Sequence, residues 1–334
     1  MGFIFSSYQL EKYYDKLKNY FLKQCRVPTQ HIITRNIDES KKYNRNINSI
    51  QYNIVDQINI KMGGMNYYID FKQSNIIKPN DIFLIIGLDS KFVKKKLTYS
   101  MTSTKHPKLN TFITQEETCN NSTKEEKNNT LKKMFRNAIN ELKKAKCPKS
   151  PDYIILYRQG GNEIHNKRLT VNELEHLLEV LKELKEENKD ESNYNYKNTK
   201  FYYICCNLKS NLKFFEVNEN QNSYLNPKSG LIVDDFVTQK DKYEFYLQPQ
   251  FVNQGTATPC HYQVMYYDKD PVKENDLKKE NLEKLSFYLS FYYWTWSGAI
   301  RTPAILKMSS TALDFYFRCL YDENGYFFDI PYYI

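Results

Sequence analysis

The chain has 334 residues, 41% of them hydrophobic, which is enough for one large domain or two ordinary ones and too apolar for a disordered chain. Lys and Arg outnumber Asp and Glu by 48 to 39, and the resulting charge of +9 suits a polyanionic partner without requiring one. There is no apolar run near the roughly 18 residues of a membrane span and no signal-peptide layout in MGFIFSSYQLEKYY. The seven cysteines have no CxxC or Cys/His ligand spacing, which together predicts a reducing compartment, cytoplasmic or nuclear, and no membrane partner.

In chain order, Phe3-Ile4-Phe5 is a short apolar run. Ser6 and Ser7 then precede a helix with Leu10, Tyr13, Tyr14, Leu17, Tyr20 and Phe21 at helical spacing. A second strand is expected at His31–Thr34 and a helix at Ile50–Ile60, stopped by Gly63-Gly64; this β-α-β-α order suits a small parallel sheet. A second sheet opens at Asp81 with the continuous apolar run Ile82–Leu88, as in a buried central strand, ending at Asp89. Strands are expected at Leu97–Tyr99, Thr111–Thr114, Tyr153–Tyr157, Phe201–Asn207, Leu231–Val237, Tyr243–Leu247 and Tyr262–Tyr267. Helices are expected near Thr130–Lys144, at Val171–Leu184 and at Leu282–Trp296, and Glu186–Lys200 reads as a surface loop or disordered segment.

Two constellations carry chemistry. Tyr14 and Lys18 are four apart on a helix and point the same way, and Lys61 closes a later helix. With Gln30 they offer a phenol, two ammonium groups and an amide, a set that can hold a terminal phosphate if it converges. On spacing alone the Tyr–Lys pair also fits a solvated helix face. Asp89, at the C-terminal end of a central strand, suits a metal ligand, and a turn-forming Asp is the plainer alternative.

The segment YYDKLKNYFLKQCRVPTQHI resembles the guide-binding segment of MID domains in the Argonaute/Piwi family, with Tyr, then Lys four on, then Gln twelve further on. INIKMGGMNYY resembles that family's Lys-[Met/Leu]-Gly-Gly stretch. Gln57 stands where the Argonaute clade has Lys and the Piwi clade commonly Gln. IIGLDS, YRQGGNE, the stretch from Asn226-Pro227 to His261-Tyr262, and the helix before Pro303-Ala304 follow the PIWI pattern in order. The resemblance implies an α/β chain: a small Rossmann-like MID domain over residues 1–78 and a ribonuclease-H-like PIWI domain over 79–334. It further implies a guide 5′-phosphate site of Tyr14, Lys18, Gln30, Gln57 and Lys61, joined by the terminal carboxylate of Ile334, with room for a magnesium ion.

The same resemblance maps the family's slicing positions onto Asp89, Glu126 (or its neighbour Glu125), Gln159 and Ser310. An amide and a hydroxyl at two of the four bind a hard divalent cation poorly, so no active-site metal pair and no slicing are expected, with Asp89 left as a weak metal ligand. His261 is read as a structural histidine. Lys209 and Lys213 occupy basic guide-backbone positions; Thr295 and Gly298 replace a late Arg pair, for which Arg301 compensates in part. The partners implied are a small guide RNA and its target, and a second polypeptide could supply N-terminal and PAZ regions. Two functions stay open: guide binding without cleavage, and a structural or interaction subunit that no longer holds a guide.

Overall fold

A computed structural model describes the chain apart from residues 7–11, 43–46, 72–75, 79, 94, 106–108, 121–122, 188–193, 219–222, 269–276, 297, 321–325, 329–332 and 334. The N-terminal part runs β1 (Gly2–Ser6), α1 (Tyr14–Asn19), a π-helical turn (Tyr20–Gln24), β2 (Thr29–Ile33), α2 (Thr34–Lys42) and α3 (Ile47–Lys61). β1 and β2 pair in parallel, Phe3 opposite Gln30, as the β-α-β order predicts. Met62-Gly63-Gly64 ends α3 abruptly. Gly63 takes φ +79° and its N–H bonds Ile60 O, while Gly64 N–H bonds Asn59 O, a Schellman closure that fixes Lys61 on the last turn.

The rest is built on β3 (Phe83–Val93), β4 (Lys96–Thr104), β5 (Phe112–Cys119), α4 (Lys124–Lys144), β6 (Tyr153–Gln159), α5 (Glu163–Glu187) and β7 (Lys200–Asn207). There follow the hairpin β8 (Glu216–Asn218) and β9 (Ser223–Leu225), then β10 (Leu231–Val233), β11 (Glu244–Gln248), β12 (Cys260–Tyr267), α6 (Lys279–Leu289), α7 (Ala304–Phe315), a second π-helical turn (Tyr316–Leu320) and β13 (Tyr326–Phe328). Nine strands form one sheet in the order β10-β11-β12-β7-β6-β3-β4-β5-β13, with β3, β6 and β7 parallel at its centre. The even-numbered residues Ile82, Leu84, Ile86 and Leu88 pack under α4 and α5, and the odd-numbered Phe83 and Ile85 pack under α6 and α7. A central strand buried on both faces explains the unbroken apolar run.

Two element ends need correcting. β3 does not end at Asp89 but runs on to Val93, because Lys91, Phe92 and Val93 still pair with β4. α6 stops at Leu289 rather than Trp296; Phe291 to Trp296 instead lie across the N-terminal part, where Asn66 Nδ2 donates to Trp294 O (3.3 Å) and Tyr292 OH accepts from Ile69 N (3.2 Å). The hydrophobic core is continuous across residue 78. Leu22, Ile60, Phe71, Ile76 and Ile77 belong to the same cluster as Phe83, Ile85 and Ile305.

Candidate functional site

The first predicted constellation converges. α1 presents Tyr14 and Lys18, β2 presents Gln30, and α3 presents Gln57 and Lys61 around one cavity of about 320 Å³. Lys61 Nζ donates to Gln30 Oε1 (2.8 Å), and Gln30 Nε2 donates to Gln57 Oε1 (2.8 Å). Lys18 Nζ donates to Thr29 O (2.6 Å). Both lysines are buried, 2% and 3% exposed, and among the described residues the cavity lining holds no carboxylate.

Burial therefore acts on the charge. Lys61 is pushed down to about 7, first by desolvation and then by Lys18; Lys18 is pushed down to about 8 by desolvation. Two desolvated ammonium groups facing one cavity whose described lining holds no counter-charge are chemistry suited to an anion. Ile334 lies outside the described residues.

The second constellation sits at the C-terminal ends of the parallel strands, where open α/β sheets place their ligands. Leu88 pairs with Arg158, so Asp89 and Gln159 are the next register step on neighbouring strands, about one 4.8 Å strand spacing apart. Gly87 lets α7 lie directly on β3: a Cβ there would stand 2.4 Å from Ile305 O. Ser309 Oγ pins the contact, donating to Gly87 O (2.8 Å) and accepting from Thr102 N (3.1 Å). Ser310 follows on α7, half-buried, and one turn later Asp314 pairs with Lys91 of β3 (2.9 Å).

Asp89 faces a cation already in place. Arg158 Nη1 is 3.5 Å from Asp89 Oδ1, and buried Glu173 accepts from Arg158 Nε (2.9 Å) and Nη2 (3.0 Å) and from Tyr203 OH (2.7 Å).

Glu126 is engaged at the start of α4. It closes a capping box on α4, where Thr123 Oγ1 accepts from Glu126 N (3.2 Å) and Glu126 Oε1 accepts from Asn120 N (2.7 Å). Glu125 shares that first turn. Among the described residues no group of three His, Cys, Asp or Glu is placed to hold a metal.

The basic residues lie on the loops after β7 and before α7. Arg301 Nη2 donates to Leu208 O (2.6 Å), Lys213 Nζ bonds Thr258, and Lys209 is exposed just after β7. His261 stacks on Tyr246 at 4.3 Å and its Nε2 meets Glu244 Oε2 at 3.0 Å, a packed structural position. A larger, mainly apolar cleft of about 810 Å³, between Met65–Phe71 and Pro148, holds none of the predicted site residues.

A family model described as the Piwi domain matches residues 2–314. The chain belongs to the Piwi-domain family. Relatives include Protein piwi of Drosophila melanogaster (27% identical over 294 residues) and Piwi-like protein 1 of Gallus gallus (26% over 304). The alignments cover 88% and 90% of this chain and 31% of each relative, so the chain spans about a third of their length. The fold matches the crystal structure of Drosophila Piwi with a TM-score of 0.73 (23% identity; 99% of this chain, 42% of that one). It matches Kluyveromyces polysporus Argonaute with a guide RNA at 0.79 (16% identity; 99% and 42%). The Piwi-domain sheet is thus the ribonuclease-H-like, mixed α/β fold that the motifs imply.

Three contributors to the two sites were missed in the sequence. Ser309, not Ser310, makes the contact to β3. His31 stacks on Tyr14 at 5.0 Å. Arg318, from the π-turn after α7, reaches the first cavity from 303 residues beyond its partner Asp15. The residue after Gln30 could have been suspected, since it belongs to the same strand. No local signal marks Arg318.

Proposed function

We propose that this Piwi-domain chain anchors a short guide RNA by its 5′ phosphate and holds the guide–target duplex without cutting it. The observation that carries this reading is the pair of buried ammonium groups, Lys18 and Lys61, facing a carboxylate-free cavity with Tyr14, Gln30 and Gln57. A phosphate supplies the missing negative charge and more acceptors than any neutral chain end. The residues divide as the resemblance implies, 1–78 as the MID part and 79–334 as the PIWI part. Lys209, Lys213 and Arg301 would follow the guide backbone past the ends of β6 and β7, reading shape and charge rather than sequence.

The second site supports silence in cleavage. Two-metal hydrolysis needs clustered carboxylate or imidazole ligands. Gln159 stands one register step from Asp89 on the neighbouring strand, Ser310 offers only a hydroxyl, Arg158 lies 3.5 Å from Asp89, and Glu126 caps α4. The seven unpaired cysteines agree with a reducing compartment, cytoplasm or nucleus. No described helix is long and apolar enough to cross a membrane.

One observation favours the second reading, a structural subunit paired with another polypeptide: the late Arg pair is absent, and Arg301 is tied to Leu208 O. Sequencing the nucleic acid that co-purifies with the chain separates the two. Short 5′-phosphorylated RNAs of narrow length distribution are expected. Nucleic acid of random length with mixed 5′ ends, or none, would favour the subunit.

A further inference from the structure

We propose that the outward face of the β8–β9 hairpin is a stacking platform for an unpaired base of the bound RNA, with Tyr224 and Phe215 as its rings. This rests on the reading of the chain as an RNA holder and adds a contact made to bases rather than to phosphates.

The hairpin leaves the sheet at its ligand end. β7 stops at Asn207, on the C-terminal side of the parallel strands, and the chain then runs through Lys209 and Lys213 into β8. Asn207 Oδ1 accepts from Lys209 N (2.9 Å) and turns the chain out of the sheet. Phe214 points back and packs edge to face on Tyr246 of β11, with ring centres 5.9 Å apart. The second leg is held as firmly. Asn226, the residue after β9, donates to Val252 O (3.0 Å) and Gly255 O (2.8 Å) and accepts from Ala257 N (2.9 Å). Both legs are fixed, so the hairpin is set before a ligand arrives.

Strand alternation then decides what faces outward. With Phe214 turned in, Phe215 and Val217 turn out. Val217 lies opposite Tyr224 in the register, and Phe215 meets Tyr224 edge to face with ring centres 6.2 Å apart. The three share one face, and Phe215, Val217 and Tyr224 are 50%, 63% and 74% exposed. A two-stranded hairpin with a bare apolar face is marginal in water, so a ligand that covers it stabilises it.

Charge and size select the occupant. Among the described residues of the hairpin and its legs, Lys209, Lys213 and Lys228 are exposed cations, and Glu216, on the opposite face, is the one acid. Lys213 Nζ bonds the neutral Thr258 hydroxyl, which keeps its charge at the foot of the platform. The surroundings therefore suit a polyanion. Two half-exposed rings and a valine offer on the order of 300 Å², well below the roughly 800 Å² per partner of a stable protein interface. That area suits one or two bases. Every base has a π-face, so stacking here tolerates any sequence, as a holder that reads shape and charge requires.

The test uses the full chain and one short RNA, with a 5′ phosphate or a 5′ hydroxyl, carrying a fluorescent purine analogue at each position in turn. Binding should quench the analogue at one or two adjacent positions, and Tyr224→Ala or Phe215→Ala should restore its fluorescence there. Tyr224→Ala should weaken the 5′-phosphate and 5′-hydroxyl forms alike, by roughly tenfold, while Tyr224→Phe, which keeps the ring, should bind as the wild type does. Salt separates stacking from charge: Tyr224→Ala should leave the slope of log affinity against log salt unchanged, and Lys213→Ala should lower it by about 0.7. An abasic site at the quenched position should make the wild type and Tyr224→Ala bind equally. Both rings are largely exposed, and an unchanged denaturation midpoint guards against a folding defect. If Tyr224→Ala and Phe215→Ala bind and quench like the wild type, the platform is not an RNA contact and the face belongs to a protein partner, while a preserved 5′-phosphate preference would leave the pocket reading standing. A wild type that quenches the analogue without preferring the phosphate would overturn the pocket reading and keep the platform. A wild type that binds neither RNA would overturn both.

Discussion

Lys61 donates to Gln30 at 2.8 Å from inside a cavity that also holds Lys18, and its ammonium is held down to about 7, by burial first and Lys18 second. The sign of the effect follows. In the unfolded chain Lys61 titrates near its ordinary value of about 10.4, so between about pH 7 and 10 the unfolded state binds more protons and the empty protein gains stability as pH rises. A bound phosphate reverses this by favouring the charged lysines. Of the other groups facing the cavity, Tyr14 is pushed up to about 12 and stays neutral, and Arg318 stays charged.

Affinity for a 5′-phosphorylated RNA should therefore fall as pH rises from about 7 to about 9, by up to roughly tenfold per pH unit for each proton taken up. The 5′-hydroxyl RNA should show a much flatter profile. Calorimetry in two buffers of different ionisation enthalpy checks this, and identical profiles for both RNAs would mean that Lys61 does not meet the phosphate.

Gly87→Ala tests the seat of α7. The new methyl would sit 2.4 Å from Ile305 O and 2.7 Å from Leu306 N, both backbone atoms, so the helix must lift from β3. A loss of about 1–3 kcal/mol is expected, read as a lower denaturation midpoint. An unchanged midpoint would show that α7 is not packed against Gly87.

The central strands were legible because burial on both faces leaves unbroken apolar runs, as in Ile82–Leu88 and Tyr153–Tyr157. The ends of elements were not. β3 runs past Asp89 because its pairing with β4 outlasts its hydrophobic signal, and α6 stops early because Phe291 to Trp296 are used against the N-terminal part. Gln30 and Lys61 were legible through the family's spacing and a Gly-Gly stop, not through any property of the residues themselves. Glu126 has a second reading that was also legible: Thr123-x-x-Glu126 is a helix start signal, and capping accounts for it without a metal. Arg318 was illegible because tertiary contact alone brings it to Tyr14.

Guide-directed cleavage should be undetectable in millimolar Mg²⁺, because of Asp89, Gln159 and Ser310 only Asp89 is a carboxylate, and among the described residues no group of three His, Cys, Asp or Glu is placed to hold a metal. The double variant Gln159→Asp with Ser310→His adds a carboxylate one strand away and an imidazole on α7. Cleavage of a matched target by that variant, lost again with Asp89→Ala, would show that the missing ligands are the defect. Cleavage at a defined position by the unmodified chain, abolished by Asp89→Ala, would overturn the inactive reading. A silent double variant would shift the cause to Arg158 beside Asp89 or to the basic groove.

The pocket itself can be tested by one competition measurement. A labelled 5′-phosphorylated RNA is displaced from the wild-type chain and from Lys18→Ala by unlabelled 5′-phosphate and 5′-hydroxyl forms of the same sequence. Lys18 is buried and charge-assisted, so its loss should weaken the 5′-phosphate form by about 1.5–3 kcal/mol, roughly ten- to hundredfold, and leave the 5′-hydroxyl form nearly unchanged. Equal affinity of the wild type for both forms, or an equal loss for both in Lys18→Ala, would contradict a 5′-phosphate pocket and leave Lys18 as part of a general basic surface.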